Sequence, residues 1–345
     1  MYGAHDASVV TVSCDPEGWD NRVIDVTGDS EVTVTNDTSD DEMPRTDSGN
    51  WTEWNEVWSS RSDLVPQSRG TPQTLQEFWF QAYVADLWAL IGSPRRSIAC
   101  VELGCGRGTV SMYLAQKGCE ITLVDLAPNA IAQAVRNFSA RGLHIPRAVC
   151  ADVRTTGLNS ESYDCVYNIG LLEHFVDPVP VLRESWRLLR PGGVLFSVIV
   201  PTVPGSRKWV VELMFAPWRA IARLVRTANF GSEVPRDEIP RNEGDIVRTA
   251  YSREQYEFWL KQEGASAARC VPYNPYFGLW DNGLSVGPFL SLYLFHWRLK
   301  RRVPRLQTWP SIASCDLLWC RKSSRVRRCP REQPAPHTRQ ASRNV

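Results

Sequence analysis

From about residue 97 to residue 200 the chain alternates short apolar runs with helical stretches, and this rhythm restricts the fold more than any other feature. Runs at 98–103, 120–124, 147–151, 163–169 and 194–200 have the length and apolar content of buried strands. Between them, 109–116, 128–141 and 179–189 read as helices, closed near Gly118, at Gly142 and at the Pro191-Gly192-Gly193 turn. Strands that alternate with helices pair in parallel and are covered on both faces. A sixth strand is expected at 267–271 and a seventh at 315–320. Ser252 and Gln255 form a capping-box pattern for a helix that Gly264 ends. The prediction is an α/β, doubly wound, seven-stranded sheet.

Outside this region the composition shifts. Residues 1–50 carry twelve acids against two bases, without sustained periodicity, and residues 298–345 carry thirteen bases against two acids, on a chain whose net charge is only +1. An acidic arm (1–50) and a basic tail (323–345), both solvated and disordered, are expected. Contact of the tail with an anionic surface, or of the two ends with each other, stays open. Residues 51–94 read as a helical flanking or lid segment. Trp51, Trp54 and Trp58 stand at helical spacing. A second helix has Thr71 as N-cap and Pro72 at its first position, and Leu75, Phe78, Trp79, Ala82 and Tyr83 form its apolar face. The main domain is expected over 95–322, with insertions at about 203–250 and 273–314.

The near-zero net charge gives no sign of nucleic acid, and no zinc-finger or other nucleic-acid module is visible. The ten cysteines include no Cys-x-x-Cys pair, and several stand in apolar runs, as buried thiols do. No secretory signal is read in the first thirty residues, and the longest apolar stretch, near 286–297, is too short to span a bilayer. A reducing, cytoplasmic location is expected.

The chemistry concentrates at the strand ends. Val101-Glu102-Leu103-Gly104-Cys105-Gly106-Arg107-Gly108-Thr109 runs from the first strand into a helix. Glycines there let the backbone turn tightly and approach a ligand where an open parallel sheet binds one. Asp125 ends the second strand, 19 residues beyond Gly106, where an acid accepts hydrogen bonds from ribose hydroxyls. A nicotinamide dinucleotide would fit that acid too. Its fingerprint, however, wants glycine at the sixth position of the turn, where Thr109 stands, and Glu102 adds an acid suited to an amino group.

At this point the sequence resembles class I S-adenosylmethionine-dependent methyltransferases of the small-molecule type, with their Rossmann-like sheet. Glu102 to Gly108 resembles the family's first motif. Leu123-Val124-Asp125-Leu126, Cys150-Ala151-Asp152-Val153, Tyr163 to Asn168 running into Leu171-Leu172-Glu173-His174, and Leu189 to Gly193 follow in the family's order. The resemblance covers roughly 95–200 and, more loosely, 252–322. It implies S-adenosylmethionine as cofactor, with Glu102 facing the methionine amino group and Gly104 and Gly106 passing under methionine and ribose. It further implies Asp125 on the ribose, Leu126 against the adenine, Asp152 and Val153 at the adenine amino edge, and Asn168 and Ile169 beside the sulfonium. Asp152 also reads as a strand-end cap, and His174 as a helix-start residue or as a base near the methyl, since histidine titrates near neutrality. Some ubiquinone-pathway O-methyltransferases carry a further Glu three positions before the Glu-His pair. Gly170 stands there, so no metal is expected.

The acceptor is expected to be a small apolar or aromatic molecule. Asn168-Ile169-Gly170-Leu171 replaces the Asn/Asp-Pro-Pro-Tyr of amino-methyltransferases acting on flipped DNA bases, so nucleic acid is not expected as partner. Tyr273, Tyr276, Phe277, Trp280, Phe289, Tyr293, Phe295 and Trp297 either build an apolar cap over the methyl or pack that cap onto the sheet. The aromatic stretch at 289–302, ending in Arg298, Lys300, Arg301 and Arg302, together with arginines between 207 and 226, allows peripheral membrane contact and a lipid or quinone-like acceptor. A non-catalytic, S-adenosylmethionine-binding regulatory or scaffolding subunit is the other reading. Nothing in the sequence sets the oligomeric state.

Overall fold

The computed structural model describes residues 51–59, 70–72, 75–92, 96–200, 249, 251–275 and 313–324, with three strands inside 1–50 and four residues between 291 and 299. In chain order the elements are β1 (Val9–Ser13), β2 (Arg22–Ile24), β3 (Glu31–Thr35), α1 (Trp51–Ser59) and α2 (Leu75–Ile91). They continue with β4 (Ala99–Leu103), α3 (Thr109–Ala115), β5 (Glu120–Asp125), α4 (Pro128–Ser139), β6 (Arg147–Cys150) and β7 (Tyr163–Ile169). A 3-10 turn (Leu172–His174), α5 (Val179–Leu188), β8 (Leu189–Ile199), α6 (Arg253–Gln262), β9 (Arg269–Pro275) and β10 (Ala313–Arg321) complete the order.

The main sheet runs β2-β6-β5-β4-β7-β8-β10-β9. Strands β4 to β8 pair in parallel. The parallel part starts at the centre with β4, winds out through β5 and β6, then returns to the other side of β4 for β7 and β8. The loops after β4 and β7 therefore leave in opposite directions and open a crevice at their carboxyl ends. β10 inserts antiparallel between β8 and β9. All seven expected strands are present, and β2 adds an eighth, antiparallel to β6, in a stretch where the sequence reading anticipated no strand. β1 and β3 pair with each other as a separate two-stranded sheet.

Side-chain alternation along the strands divides the core. Cys100, Leu123, Cys165, Tyr167, Phe196 and Val198 face the layer of α2, α3 and α4. Val101, Leu103, Val124, Val166, Leu195 and Ile199 face α5 and α6. Each strand feeds both layers because successive side chains point to opposite faces. Phe78, Trp79, Ala82 and Tyr83 of α2 are buried, so the expected apolar face is the packed one. Its start differs from expectation: the helix begins at Leu75, and Thr71 and Pro72 precede it without helical geometry. Pro72 is nevertheless buried, so it serves as packing ahead of the helix and not as its first turn.

The Pro191-Gly192-Gly193 segment also departs from a simple turn. β8 begins at Leu189, and the β7–β8 register shifts between Tyr163 and Cys165, so the segment is an irregularity inside the strand. Gly193 is required there, because a Cβ would stand 2.9 Å from the Arg190 carbonyl oxygen. α6 carries the expected capping box, with the Gln255 N–H donating to Ser252 Oγ at 3.2 Å and the Ser252 N–H to Gln255 Oε1 at 2.8 Å. Residues 203–248 and most of the aromatic and basic stretch at 276–312 lie outside the described residues, as does the tail beyond 324. Among the described residues no helix is long and apolar enough to cross a membrane.

Candidate functional site

The loop after β4 is shaped by three glycines with left-handed backbone, of which Gly104 (φ 65°) and Gly106 (φ 50°) border the crevice. A Cβ at Gly104 would stand 2.7 Å from Leu171 Cδ1, and one at Gly106 would stand 2.7 Å from Trp58 Cη2. Both positions therefore need glycine for conformation and for space. Asp125 pins this loop to β5. Its Oδ2 accepts from the Gly106 N–H at 2.8 Å and its Oδ1 from the Ala127 N–H at 2.9 Å. A carboxylate has about four lone-pair sites, so these backbone donors do not exhaust its capacity to accept from a ligand's hydroxyl. Burial pushes the Asp125 carboxyl up to about 6, against the opposing pull of its backbone N–H donors.

Glu102, the last residue but one of β4, is 4% exposed. Ser111 Oγ on α3 donates to its Oε2 at 2.5 Å, and Tyr167 OH on β7 stands 2.5 Å from Ser111 Oγ. Burial lifts the Glu102 carboxyl to about 8. The hydrogen bonds from Ser111 and Tyr167 work against that rise, and the nearby Asp125 charge adds to it. Asp152, beyond β6, is held by Arg154: its Oδ2 accepts from Arg154 Nη2 at 2.7 Å and its Oδ1 from the Arg154 N–H at 2.8 Å. The cap geometry expected of a strand-end acid is thus present, and the same side chain still borders the crevice.

One cavity of about 250 Å³ gathers these groups. Glu102, Gly104, Gly106, Asp125, Leu126, Asp152, Val153, Ile169 and His174 all line it. Asn168 is the exception among the expected site residues. It is fully buried, its Nδ2 donates to Ser197 Oγ at 2.9 Å, and it does not border the cavity. The pleat explains this: Ile169 and Asn168 point to opposite faces of β7, and only the strand-end residue reaches the crevice.

The structure adds groups that sequence reading left out. Trp54 and Trp58 of α1, Gln76 and Phe80 of α2, and Leu171 and Phe175 beside the 3-10 turn form the outer wall. Arg107 is a cavity-lining cation, 9% exposed. The spacing of Trp54 and Trp58 marked a helix but held no information on where that helix docks. His174 lies in the 3-10 turn, 7% exposed, edge-on to Trp54 with ring centroids 4.9 Å apart and the Glu173 carboxylate at 4.0 Å. Among the described residues no group of three or more His, Cys, Asp or Glu is placed to hold a metal ion.

The donor set suits a nucleoside attached to an amino acid. Two glycines border the cavity, one buried acid ends β5, a second sits at β4, and a third acid borders β6. Residues 101–197 match a family model described as a methyltransferase domain. The chain is 30% identical over 106 residues to a ubiquinone biosynthesis O-methyltransferase of Xanthomonas axonopodis pv. citri, a match covering 31% of this chain and 44% of that protein. It is 33% identical over 156 residues to a malonyl-[acyl-carrier protein] O-methyltransferase of Enterobacter lignolyticus, covering 44% of this chain and 57% of the relative. The chain thus spans about half the length of these curated relatives. Phosphoethanolamine N-methyltransferase 2 of Haemonchus contortus, solved with S-adenosyl-L-methionine, aligns at a TM-score of 0.44 and 14% identity over 71% of this chain and 53% of its own. The stretch that matches the methyltransferase-domain model, residues 101–197, is the one that carries the glycine turn and the acids at the strand ends of the central sheet.

Proposed function

We propose that the protein transfers a methyl group from S-adenosylmethionine to a small apolar or aromatic acceptor by in-line displacement. The observation that carries this reading is the convergence of Glu102, Asp125, Asp152 and His174, from four separate strand ends, on one cavity walled on its outer side by Trp54, Trp58, Phe80 and Phe175. Bound S-adenosylmethionine supplies an activated methyl on a sulfonium leaving group. The chain's own work is alignment and exclusion of water, worth roughly 7–11 kcal/mol when geometry is good.

In this reading Asp125 takes the ribose hydroxyls with the acceptor capacity that its backbone donors leave, and Leu126 lies against the adenine. Asp152, steadied by Arg154, accepts from the adenine amino group, with Val153 beside it. Glu102 receives the methionine ammonium. Ile169 and Leu171 flank the methyl, and the aromatic wall receives the acceptor. Both named relatives are O-methyltransferases, which favours an oxygen acceptor. A hydroxyl must lose its proton, and His174, at the acceptor-facing end with Glu173 beside it, is the candidate base. A carboxylate acceptor would arrive ionised and need none.

Calorimetric titration with S-adenosylmethionine and S-adenosylhomocysteine tests the site, with Asp125→Ala as control. Micromolar binding that the variant loses supports it and justifies an acceptor screen with labelled methyl. Folded protein that binds neither compound refutes it.

A further inference from the structure

Glu102 and Tyr167 are partners in the parallel β4–β7 register, on the face that α3 covers. Ser111 on α3 stands above them. When Glu102 is ionised, the Ser111 proton is committed to its Oε2, and the 2.5 Å contact between Ser111 Oγ and Tyr167 OH is then made with the tyrosine proton. The hydroxyls therefore form a directed chain, Tyr167 to Ser111 to Glu102, and the tyrosine oxygen is a further 3.5 Å from Glu102 Oε2. All three side chains are buried, with Ser111 and Tyr167 at 0% exposure. Ser111 and Tyr167 do not line the cavity, but Glu102 does.

Resting on the methyltransferase reading, we propose that Tyr167 and Ser111 are positioning residues. Their hydroxyl chain holds one oxygen of Glu102 so that the carboxylate meets the ammonium of the cofactor's amino-acid part, and cofactor binding is coupled to loss of the Glu102 proton. The physical case is one of charge compensation. A carboxylate this buried keeps its proton near neutrality, and burial holds it there up to about pH 8. An arriving ammonium favours the ionised form. Two hydroxyl donors in series steady that form by hydrogen bonding without adding a competing positive charge. The titratable neighbours are Tyr167, itself pushed well up by burial, and Asp125 and Cys105; Arg107 and His174 line the same cavity. No proton leaves Tyr167: the proton released from Glu102 goes to solvent through the cavity.

The test is calorimetric binding of S-adenosylhomocysteine between pH 6 and 8, in two buffers of different ionisation enthalpy. Wild type should release close to one proton on binding at pH 7, with affinity rising up to tenfold per pH unit below 8. Tyr167→Phe should weaken binding about three- to tenfold and move the break in the pH profile upward, as should Ser111→Ala. In the Ser111→Ala background Tyr167→Phe should add little, because the chain is already cut. Methylthioadenosine, which lacks the amino-acid part, should bind all variants as it binds wild type. Additive effects of Tyr167→Phe and Ser111→Ala, or an equal loss of methylthioadenosine binding, would show a merely structural role and overturn the proposal. Absence of proton release by wild type, which needs no variant to fold, also overturns it. Glu102→Gln separates the two levels. If it weakens S-adenosylhomocysteine while the hydroxyl variants do not, the relay alone fails. If it has no effect, the placement of the cofactor on Glu102 fails with it.

Discussion

Asn55 of α1 caps the first turn of α4: its Oδ1 accepts from the Asn129 N–H at 3.0 Å, while Asn129 Nδ2 donates to the Asn55 carbonyl at 3.3 Å. α4 has no cap of its own, since Ala127 stands at the N-cap and Pro128 follows. One of the orphan donors that every helix start exposes is thus satisfied from another helix. The donation of Gln133 Nε2 to the Trp58 carbonyl gives a second anchor one turn further on. These contacts place Trp54 and Trp58 over the cavity. Asn55→Ala should cost about 1 kcal/mol, concentrated in α1. Hydrogen exchange should show faster exchange across residues 51–59 and unchanged protection in β4 and β5. Unchanged exchange in α1 would mean that the cap does not hold it.

Gly106→Ala carries two penalties. The backbone at φ 50° disfavours any Cβ, by about 1–2 kcal/mol, and that Cβ would meet Trp58 at 2.7 Å. The variant should be less stable and bind S-adenosylhomocysteine at least tenfold more weakly. Trp58→Ala in the same chain should recover the part of the stability due to collision and leave the backbone strain. A double-mutant cycle on thermal melts reads this; strict additivity would show that the indole and the glycine do not meet.

The two raised carboxyls set a pH dependence for the ligand-free protein. Asp125 goes from an ordinary 3.8 to about 6 and Glu102 from 4.5 to about 8, so the folded state holds more protons than the unfolded state between about pH 4 and pH 8. Stability must then fall as pH rises through that window. The melting temperature should drop on the order of 5 °C from pH 5 to pH 8. Glu102→Gln should flatten the upper part of the curve and Asp125→Asn the lower. A melting temperature that rises steadily over the same range in wild type, with both variants following it, contradicts this account.

His174→Ala should leave S-adenosylhomocysteine affinity within about twofold and lower turnover of a hydroxyl acceptor by about 10²–10⁴-fold. Trp54→Ala should have the same direction and a smaller size, since the ring stands against the imidazole at 4.9 Å. Labelled-methyl transfer and calorimetry together check it. Equal loss of affinity and turnover in His174→Ala would move that residue from the acceptor to the cofactor.

Much of this arrangement is legible without coordinates. Several strands come out within a residue or two, as at Tyr163–Ile169, whereas the one expected at 267–271 runs on to Pro275. β8 absorbs Pro191-Gly192-Gly193 as an irregularity, because pairing with β7 resumes on both sides of it. Asn168 reads as a site residue from its motif, yet the pleat turns it toward Ser197. Arg107 sits inside the quoted motif without a role, because neither spacing nor residue type says which way a loop side chain points.

The sequence by itself determined the layer order, the glycine turn and the acids at the strand ends. These follow from local periodicity and from backbone conformations that only glycine adopts easily. The tertiary structure alone decided which helix roofs the cavity and which buried groups hydrogen-bond to one another. Asn55 meets Asn129 across 74 positions, and Glu102 meets Tyr167 across 65. Such contacts depend on strand register and helix docking, which arise when the whole core packs and leave no trace in the order of the residues along the chain.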